Sequence, residues 1–327
     1  MSETENARLL SIIIPFFNNE DFLGDSLESL LRQVDDDIEI VLIDDGSTDR
    51  SVAVAQRVLD RYPHPHVTFV TQQNGGIANA RNVGLQHASG QYVTFLDGDD
   101  LLSHHYLSTL RPLLRSGRYE LIDFKYHIFK DTPPKDLSPA EPAFSASDFT
   151  QGISCLTPLF SRSMWHLWNR VFHRSLLIGE SFEPGRRYED VIFTPFFYFK
   201  TRKIGHINHE LYFYRDNSLG ITRNVKEKDI EDMLFAMQKM LNFAKQHSHD
   251  NAIKQLAALM VLNCFNEVKA MSRKLYGYYF YPEKIQVAFR QAALLCNGTA
   301  VPRKKVRQMQ YAYIDTWLSK IRWMIKK

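Results

Sequence analysis

Within the first hundred residues, four short apolar runs rich in β-branched and aromatic side chains alternate with segments of helical periodicity. The runs are LLSIIIPFF (9–17), IEIVLID (38–44), VTFV (67–70) and YVTFL (92–96). None alternates polar with apolar residues, so each predicts a strand buried on both faces. A first helix is expected to begin at NNED, with Asn18 or Asn19 as cap and Leu23, Leu27, Leu30, Leu31 and Val34 at helical spacing. A second is expected from Ser47, with Val52, Ala55, Val58 and Leu59 on one stripe, and a third is roughly IANARNVGLQHA. Such alternation builds right-handed βαβ units and a parallel sheet. Sheets of this kind bind ligands beyond the carboxyl ends of their strands. The chemistry is therefore expected just after Phe16, Ile43, Val70 and Leu96.

Each of those strand ends carries a polar cluster. The first gives Pro15, Asn18 and Asn19; the second, Asp44-Asp45-Gly46-Ser47; the third, Gln73-Asn74-Gly75-Gly76; the fourth, Asp97-Gly98-Asp99-Asp100. Asp-Gly alone is a common turn, and an isolated Asp-x-Asp is weak evidence for a metal. Four clusters on one predicted sheet edge suit the holding of a nucleotide diphosphate. A carboxylate such as Asp44 accepts hydrogen bonds from a base or ribose, and Asp97 and Asp99 offer hard oxygen ligands to Mn²⁺ or Mg²⁺. Three like charges within four residues also demand a positive partner: a basic side chain, a helix N-terminus or a metal ion.

In order and spacing, SIIIPFFNNEDFL, VLIDDGSTD, NGGIANARNVGL and YVTFLDGDD resemble the N-terminal half of glycosyltransferase family 2 enzymes. WNRVFHRSLL (168–177), RYEDVIF (187–193) and LYFYRDNSLGIT (211–222) look like later landmarks of bacterial members. The resemblance implies a GT-A fold, a Rossmann-like, mostly parallel sheet flanked by helices, and inverting transfer from a nucleotide sugar, UDP being the implied nucleotide. It implies a donor site at Pro15, Phe16, Asn18, Asp44, Asp45, Asn74, Gly75, Arg81, Asp97, Gly98 and Asp99, with Asp97 and Asp99 on the metal. It implies Asp190 as general base beside Glu189, although "YEDVIF" read by itself favours a helix start with two acids suited to the dipole. The expected division is a glycosyltransferase domain over 1–224, with a nucleotide-sugar half (9–110) and an acceptor half (111–224), and a helical region over 225–327. The expected product is a bacterial surface glycan such as capsule, O-antigen or lipooligosaccharide, built on a glycan or lipid-linked acceptor. Rival readings are a sugar-nucleotide nucleotidyltransferase, which needs a Gly-rich, Arg-containing loop absent from SIIIPFFNNED, and a catalytically silent nucleotide-sugar-binding module.

Other features narrow the setting. Three scattered cysteines (Cys155, Cys264, Cys296) fit a reducing compartment. The start MSETENAR lacks a secretory pattern, and no apolar run reaches the ~18–20 residues of a membrane span, LAALMVLNCF (256–265) included. A cytoplasmic location is expected, with peripheral attachment at the inner face of the cell membrane as an extension. Residues 301–327 carry eight Lys/Arg against Asp315 alone, so the rest of the chain is net acidic. That distribution argues against a nucleic-acid groove. Over 306–325, Val306, Met309, Tyr313, Trp317, Ile321 and Met324 fall near one helical face among basic residues. This basic amphipathic helix suits an anionic membrane, its own domain or a second subunit, so a homo-oligomer stays open. The four prolines of 131–150 predict an exposed loop, and ELIDFKYHIF (120–129) a strand. Trp168 suits core packing or a sugar-site wall; Tyr214 and Arg215 suit a diphosphate clamp or a structural ion pair. The histidine pairs 206/209 and 247/249 read as surface or packing residues. Gly24-Asp25-Ser26-Leu27 matches a serine hydrolase signature but sits mid-helix.

Overall fold

The computed structural model describes residues 8–135, 144–148, 152–217 and 224–326. The polar start (1–7), Pro139 and Pro142 of the proline-rich stretch, and residues 218–222 of the LYFYRDNSLGIT landmark lie outside them. The chain forms two compact units. The first comprises Met1–Asp148, His166–Glu189 and Lys200–Ser218; the second, Phe149–Trp165, Asp190–Phe199 and Leu219–Lys327. The second unit thus draws on two earlier segments besides the region beyond 225.

The first unit runs β1 (Leu10–Phe16), α1 (Leu23–Leu31), β2 (Ile38–Asp44), α2 (Ser51–Arg61), β3 (Val67–Thr71), α3 (Ile77–His87), β4 (Tyr92–Phe95), β5 (Leu101–Leu102), α4 (Tyr106–Arg115), β6 (Leu121–Phe129), β7 (Phe144–Asp148), β8 (Arg170–His173) and β9 (Lys203–Arg215). Its sheet has the order β3-β2-β1-β4-β8-β6-β9-β5, with β7 also paired to β9. The four strands read from the apolar runs are the parallel quartet β3, β2, β1 and β4. Every residue of β1 is buried, as expected of a strand covered on both faces. Leu27, Leu30 and Leu31 of α1 and Leu107 and Leu110 of α4 join Ile12, Ile14 and Ile40 in one core. Register brings Phe16 beside Asp44 and Asp44 beside Thr71, so three strands end level. The remaining strands are mixed: β8 is antiparallel to β4 and β6, while β6 and β9 run parallel.

Several sequence expectations shift. The first helix starts at Leu23, not at NNED, because Asn18 is committed elsewhere. Its backbone is left-handed (φ 48°), its N–H donates to Ser47 Oγ (3.0 Å), and its Oδ1 accepts from the Thr48 N–H (2.8 Å). The second helix starts at Ser51, since the Ser47 N–H is donated to Asp44 Oδ1 (2.9 Å) and Ser47 serves the turn instead of capping. The proline-rich stretch contains β7, antiparallel to β9. Trp168 belongs to the core, stacked on Tyr212 (4.4 Å) and His166 (4.7 Å), which settles its role as packing.

The second unit contains α5 (Thr157–Arg162), α6 (Glu189–Phe193, entering from the first unit after Glu189), α7 (Pro195–Lys200), α8 (Glu227–Gln246), α9 (Asn251–Tyr276), α10 (Glu283–Cys296), α11 (Arg303–Gln310) and α12 (Ala312–Lys326). Asp250 caps α9 by accepting from two backbone N–H groups, and buried Met237, Met240, Met260 and Phe265 build the core. The single amphipathic helix expected over 306–325 is two helices, broken at Tyr311 (φ −117°, ψ 42°). Its expected face is thereby split: Met309 is buried, whereas Tyr313, Trp317 and Met324 are exposed. Among the described residues no helix is long and apolar enough to cross a membrane.

His206 of β9 ties three strands together. Its Nδ1 lies 2.7 Å from Asp123 Oδ1 on β6, and its Nε2 lies 2.9 Å from Ser147 Oγ on β7. Burial disfavours the charged ring, but the hydrogen bond and charge of Asp123 outweigh it and hold His206 above the usual imidazole range. A raised folded-state pKa gives stabilisation that is complete below the unfolded value of about 6.5 and is lost as pH rises through the folded value. Amide exchange in β7, corrected for intrinsic rates, is therefore expected to accelerate as pH rises from about 6 to about 8. His206→Gln should remove that dependence, and a pH-independent β7 in the unaltered protein would contradict this role.

Candidate active site

The carboxyl edge of β1–β4 is built by loops that brace one another. Gly46 has φ 76°, and a Cβ there would stand 2.9 Å from the Asn74 backbone nitrogen, so only glycine lets the loops after β2 and β3 approach this closely. Asp45, nearly fully buried, turns its carboxylate to the same loop. Oδ1 accepts from Gln72 Nε2 (2.6 Å) and the Gly75 N–H (2.9 Å), and Oδ2 accepts from the Gly76 N–H (2.8 Å). Asp45 thus shapes the entry to α3 and leaves Asn74 and Gly75 exposed at the edge. Asp44 is also buried, with Oδ1 held by the Ser47 N–H. On the β1 side, Glu20 accepts from the Arg50 N–H and Nε, while Pro15 and Phe16 are buried beneath the edge. Gly98 fits tightly above them, where a Cβ would lie 2.8 Å from Asn19 Nδ2 and 3.1 Å from Phe16 Cβ.

The acidic cluster after β4 has a basic partner. Arg81, reaching from α3, donates from Nη2 to Asp97 Oδ1 (2.7 Å) and from Nη1 to Glu189 Oε1. Arg81 is 3% exposed, and its guanidinium lies against the rings of Phe95 (5.8 Å) and Phe182 (6.0 Å). One buried cation therefore joins Asp97 of the Asp-x-Asp motif to Glu189, which lies 108 residues beyond Arg81 in the chain. Neither composition nor spacing signals this link.

The other two aspartates have different partners. Asp100 is buried, accepting from the Tyr212 hydroxyl (2.6 Å) and the Arg215 N–H (2.7 Å), which fastens the motif to β9. Tyr212 also accepts from the Asp97 N–H (3.2 Å). Asp99 accepts from Asn217 Nδ2 at 3.4 Å. Burial, and then the charge of Asp97, raise Asp99 above the ordinary carboxylate range; burial and both neighbours raise Asp100 well above it. The same burial and acid field push Tyr214 up to about 12. Arg215 braces the motif from β9. Its Nε donates to the Asp99 carbonyl (2.8 Å), Nη2 stands 3.8 Å from Asp25, and its guanidinium lies 4.8 Å from each of the Phe22 and Phe129 rings. The anchoring by Tyr212 and Arg215 was not foreseen from the sequence, though an alternating Tyr-x-Tyr-Arg at a strand end was its only trace.

Glu189 begins α6, preceded by Tyr188 with φ 60°, a left-handed backbone that a bulky residue adopts only under constraint. Asp190 belongs to the second unit; its Oδ1 accepts from the Val191 N–H (2.8 Å) and its carbonyl accepts from the Thr194 N–H (2.9 Å). Among the described residues, no three His, Cys, Asp or Glu side chains converge as a self-sufficient metal site. The donors that Asp97 and Asp99 offer are all oxygen. They fit an Mg²⁺ or Mn²⁺ ion that takes one or two carboxylates and completes its shell with phosphate and water.

The chain is similar to glycosyltransferase EpsJ of Bacillus subtilis, 29% identical over 220 residues that cover 65% of this chain and 63% of EpsJ. It is 26% identical to glycosyltransferase GlyA of Streptococcus pneumoniae over 238 residues, 71% of this chain and 34% of GlyA. It thus spans less than two thirds of either relative. Residues 1–349 of TarS from S. aureus, crystallised in complex with UDP-GlcNAc, superpose with a TM-score of 0.72 at 18% identity over 94% of this chain and 88% of that one. That likeness speaks for the expected GT-A fold. Residues 11–174, about half of the chain, match the profile of Glycosyl transferase family 2, and the chain belongs to that family.

Proposed function

We propose that the protein transfers a sugar from a UDP-sugar to a hydroxyl of a glycan or lipid-linked acceptor during synthesis of a bacterial surface polysaccharide, inverting the anomeric centre. The observation that carries this reading is the Arg81 bridge. It binds Asp97 at the sheet edge to Glu189, the residue before the general base implied by the family resemblance. The TarS fragment that shares the fold binds UDP-GlcNAc, which supports a UDP-sugar donor.

In this reading, the free oxygen of Asp44 accepts from the base or ribose of the donor, while Asp45 holds the Gly75–Gly76 loop open beside it. Asp97 and Asp99 are the residues that would hold a divalent cation, which would supply charge neutralisation to the leaving group. Arg81 fixes Asp97 and occupies a Glu189 oxygen, so Glu189 orients the segment and Asp190 takes the proton. As the acceptor hydroxyl oxygen bonds to the anomeric carbon, its proton passes to Asp190 and the bond from that carbon to the diphosphate oxygen breaks on the opposite face. The electron pair leaves with UDP, and no covalent sugar–enzyme intermediate forms.

Asp99→Asn is expected to abolish the metal dependence of UDP binding while leaving the thermal midpoint equal or higher, because it removes a carboxylate burdened by burial and by Asp97. UDP titrations with Mn²⁺ and with chelator read this. Equal affinity in both for the unaltered protein would remove the metal role. Asp190→Asn is expected to lower turnover by about 10²–10⁴ with donor affinity changed no more than a few-fold, as loss of a general base requires. Glu189→Gln should be milder in rate but costlier in stability, since it breaks the Arg81 pair. The reverse ranking of rates would make Glu189 the base; near-normal turnover in both would reduce the pair to a helix start.

A further inference from the structure

Helix α12 presents its apolar side outward and its polar side to the protein. On the inward face Ala312 is buried, Asp315 Oδ2 accepts from Lys269 Nζ (2.6 Å), Ser319 Oγ accepts from the Tyr279 N–H (3.0 Å), and Trp323 packs on Tyr278 (5.6 Å). Those positions recur every three or four residues and define one side of the helix. The other side carries Ile314, Trp317, Leu318, Ile321, Met324 and Ile325. Trp317 is 64% exposed and Ile325 78% exposed. Single exposed apolar residues are ordinary, whereas a continuous stripe along a whole helix marks an interaction surface.

The charge around the stripe selects its partner. Exposed Lys320 and Arg322 flank it, and α11 adds exposed Arg303, Lys304 and Arg307. The one acid of the region, Asp315, is turned inward to Lys269. Beside α12 lies a surface cavity of about 490 Å³ lined by Asn266, Lys269, Arg273, Lys274 and Tyr279. A second copy docking here through a two-fold axis would set this basic surface against itself. The stripe of a helix about 22 Å long also falls short of the ~800 Å² per partner of a stable interface. We propose that α12 lies in the interface of an anionic lipid bilayer, its apolar stripe in the acyl boundary and its flanking cations on lipid phosphates. This stands on the geometry of the second unit and is independent of the proposed transfer reaction.

The test is sedimentation of the full chain with vesicles of phosphatidylcholine alone and of phosphatidylcholine with 30% phosphatidylglycerol, about one lipid in three being anionic. Binding is expected only to the anionic vesicles, to weaken with salt, and to be accompanied by quenching of Trp317 by brominated lipid. Trp317→Glu/Ile321→Glu should abolish it. Lys320→Gln/Arg322→Gln, exposed changes that leave the fold intact, should weaken it about five-fold per cation removed. UDP binding, measured on the same preparations, should be equal in all variants, so failure of the transferase reading shows separately from failure of this one. Equal binding to neutral vesicles, or binding that survives both pairs of substitutions, would overturn the proposal. So would a solution dimer that Trp317→Glu/Ile321→Glu dissociates.

Discussion

A buried guanidinium between two carboxylates is the interaction on which the site depends. Arg81 is supplied by α3, Asp97 by the segment after β4, and Glu189 by the start of α6. Removing such a cation from water is costly, and two anions plus the faces of Phe95 and Phe182 compensate for it. Because the guanidinium is planar and forked, it fixes direction as well as charge. Glu189, the first of the two acids that the family resemblance links to catalysis, is thereby held to the sheet edge.

The remaining acids divide their work by environment. Asp45 is spent on the Gly75–Gly76 loop and Asp100 on Tyr212 and Arg215, so both act through backbone placement. Asp99 differs from both: its side-chain amide partner lies at 3.4 Å, and Arg215 reaches its carbonyl. A sheet that gathers acids at one edge needs positive charge there, and Arg81 supplies part of it.

The parallel quartet was legible because β-branched runs buried on both faces read directly as strands, and the turn residues after them read as a ligand edge. Helix starts were less legible: Asn18, Asn19 and Ser47 are good caps in isolation, but the loops after β1 and β2 use them on each other. The strands β6, β8 and β9 pair across long separations that no local pattern encodes. Arg81 could be named from its motif, yet its bridge to Glu189 could not. The break at Tyr311 carries neither glycine nor proline, so periodicity ran through it and joined two helices whose apolar faces point differently.

The most direct test of this account is Arg81→Met, which keeps bulk and removes the charge. The account predicts a loss of about 3–5 kcal/mol in unfolding free energy, because Asp97 and Glu189 are left facing each other without their cation, together with loss of UDP affinity. Adding Glu189→Leu should recover part of the stability but not turnover. An Arg81→Met protein that unfolds at the same denaturant concentration and binds UDP unchanged would contradict it.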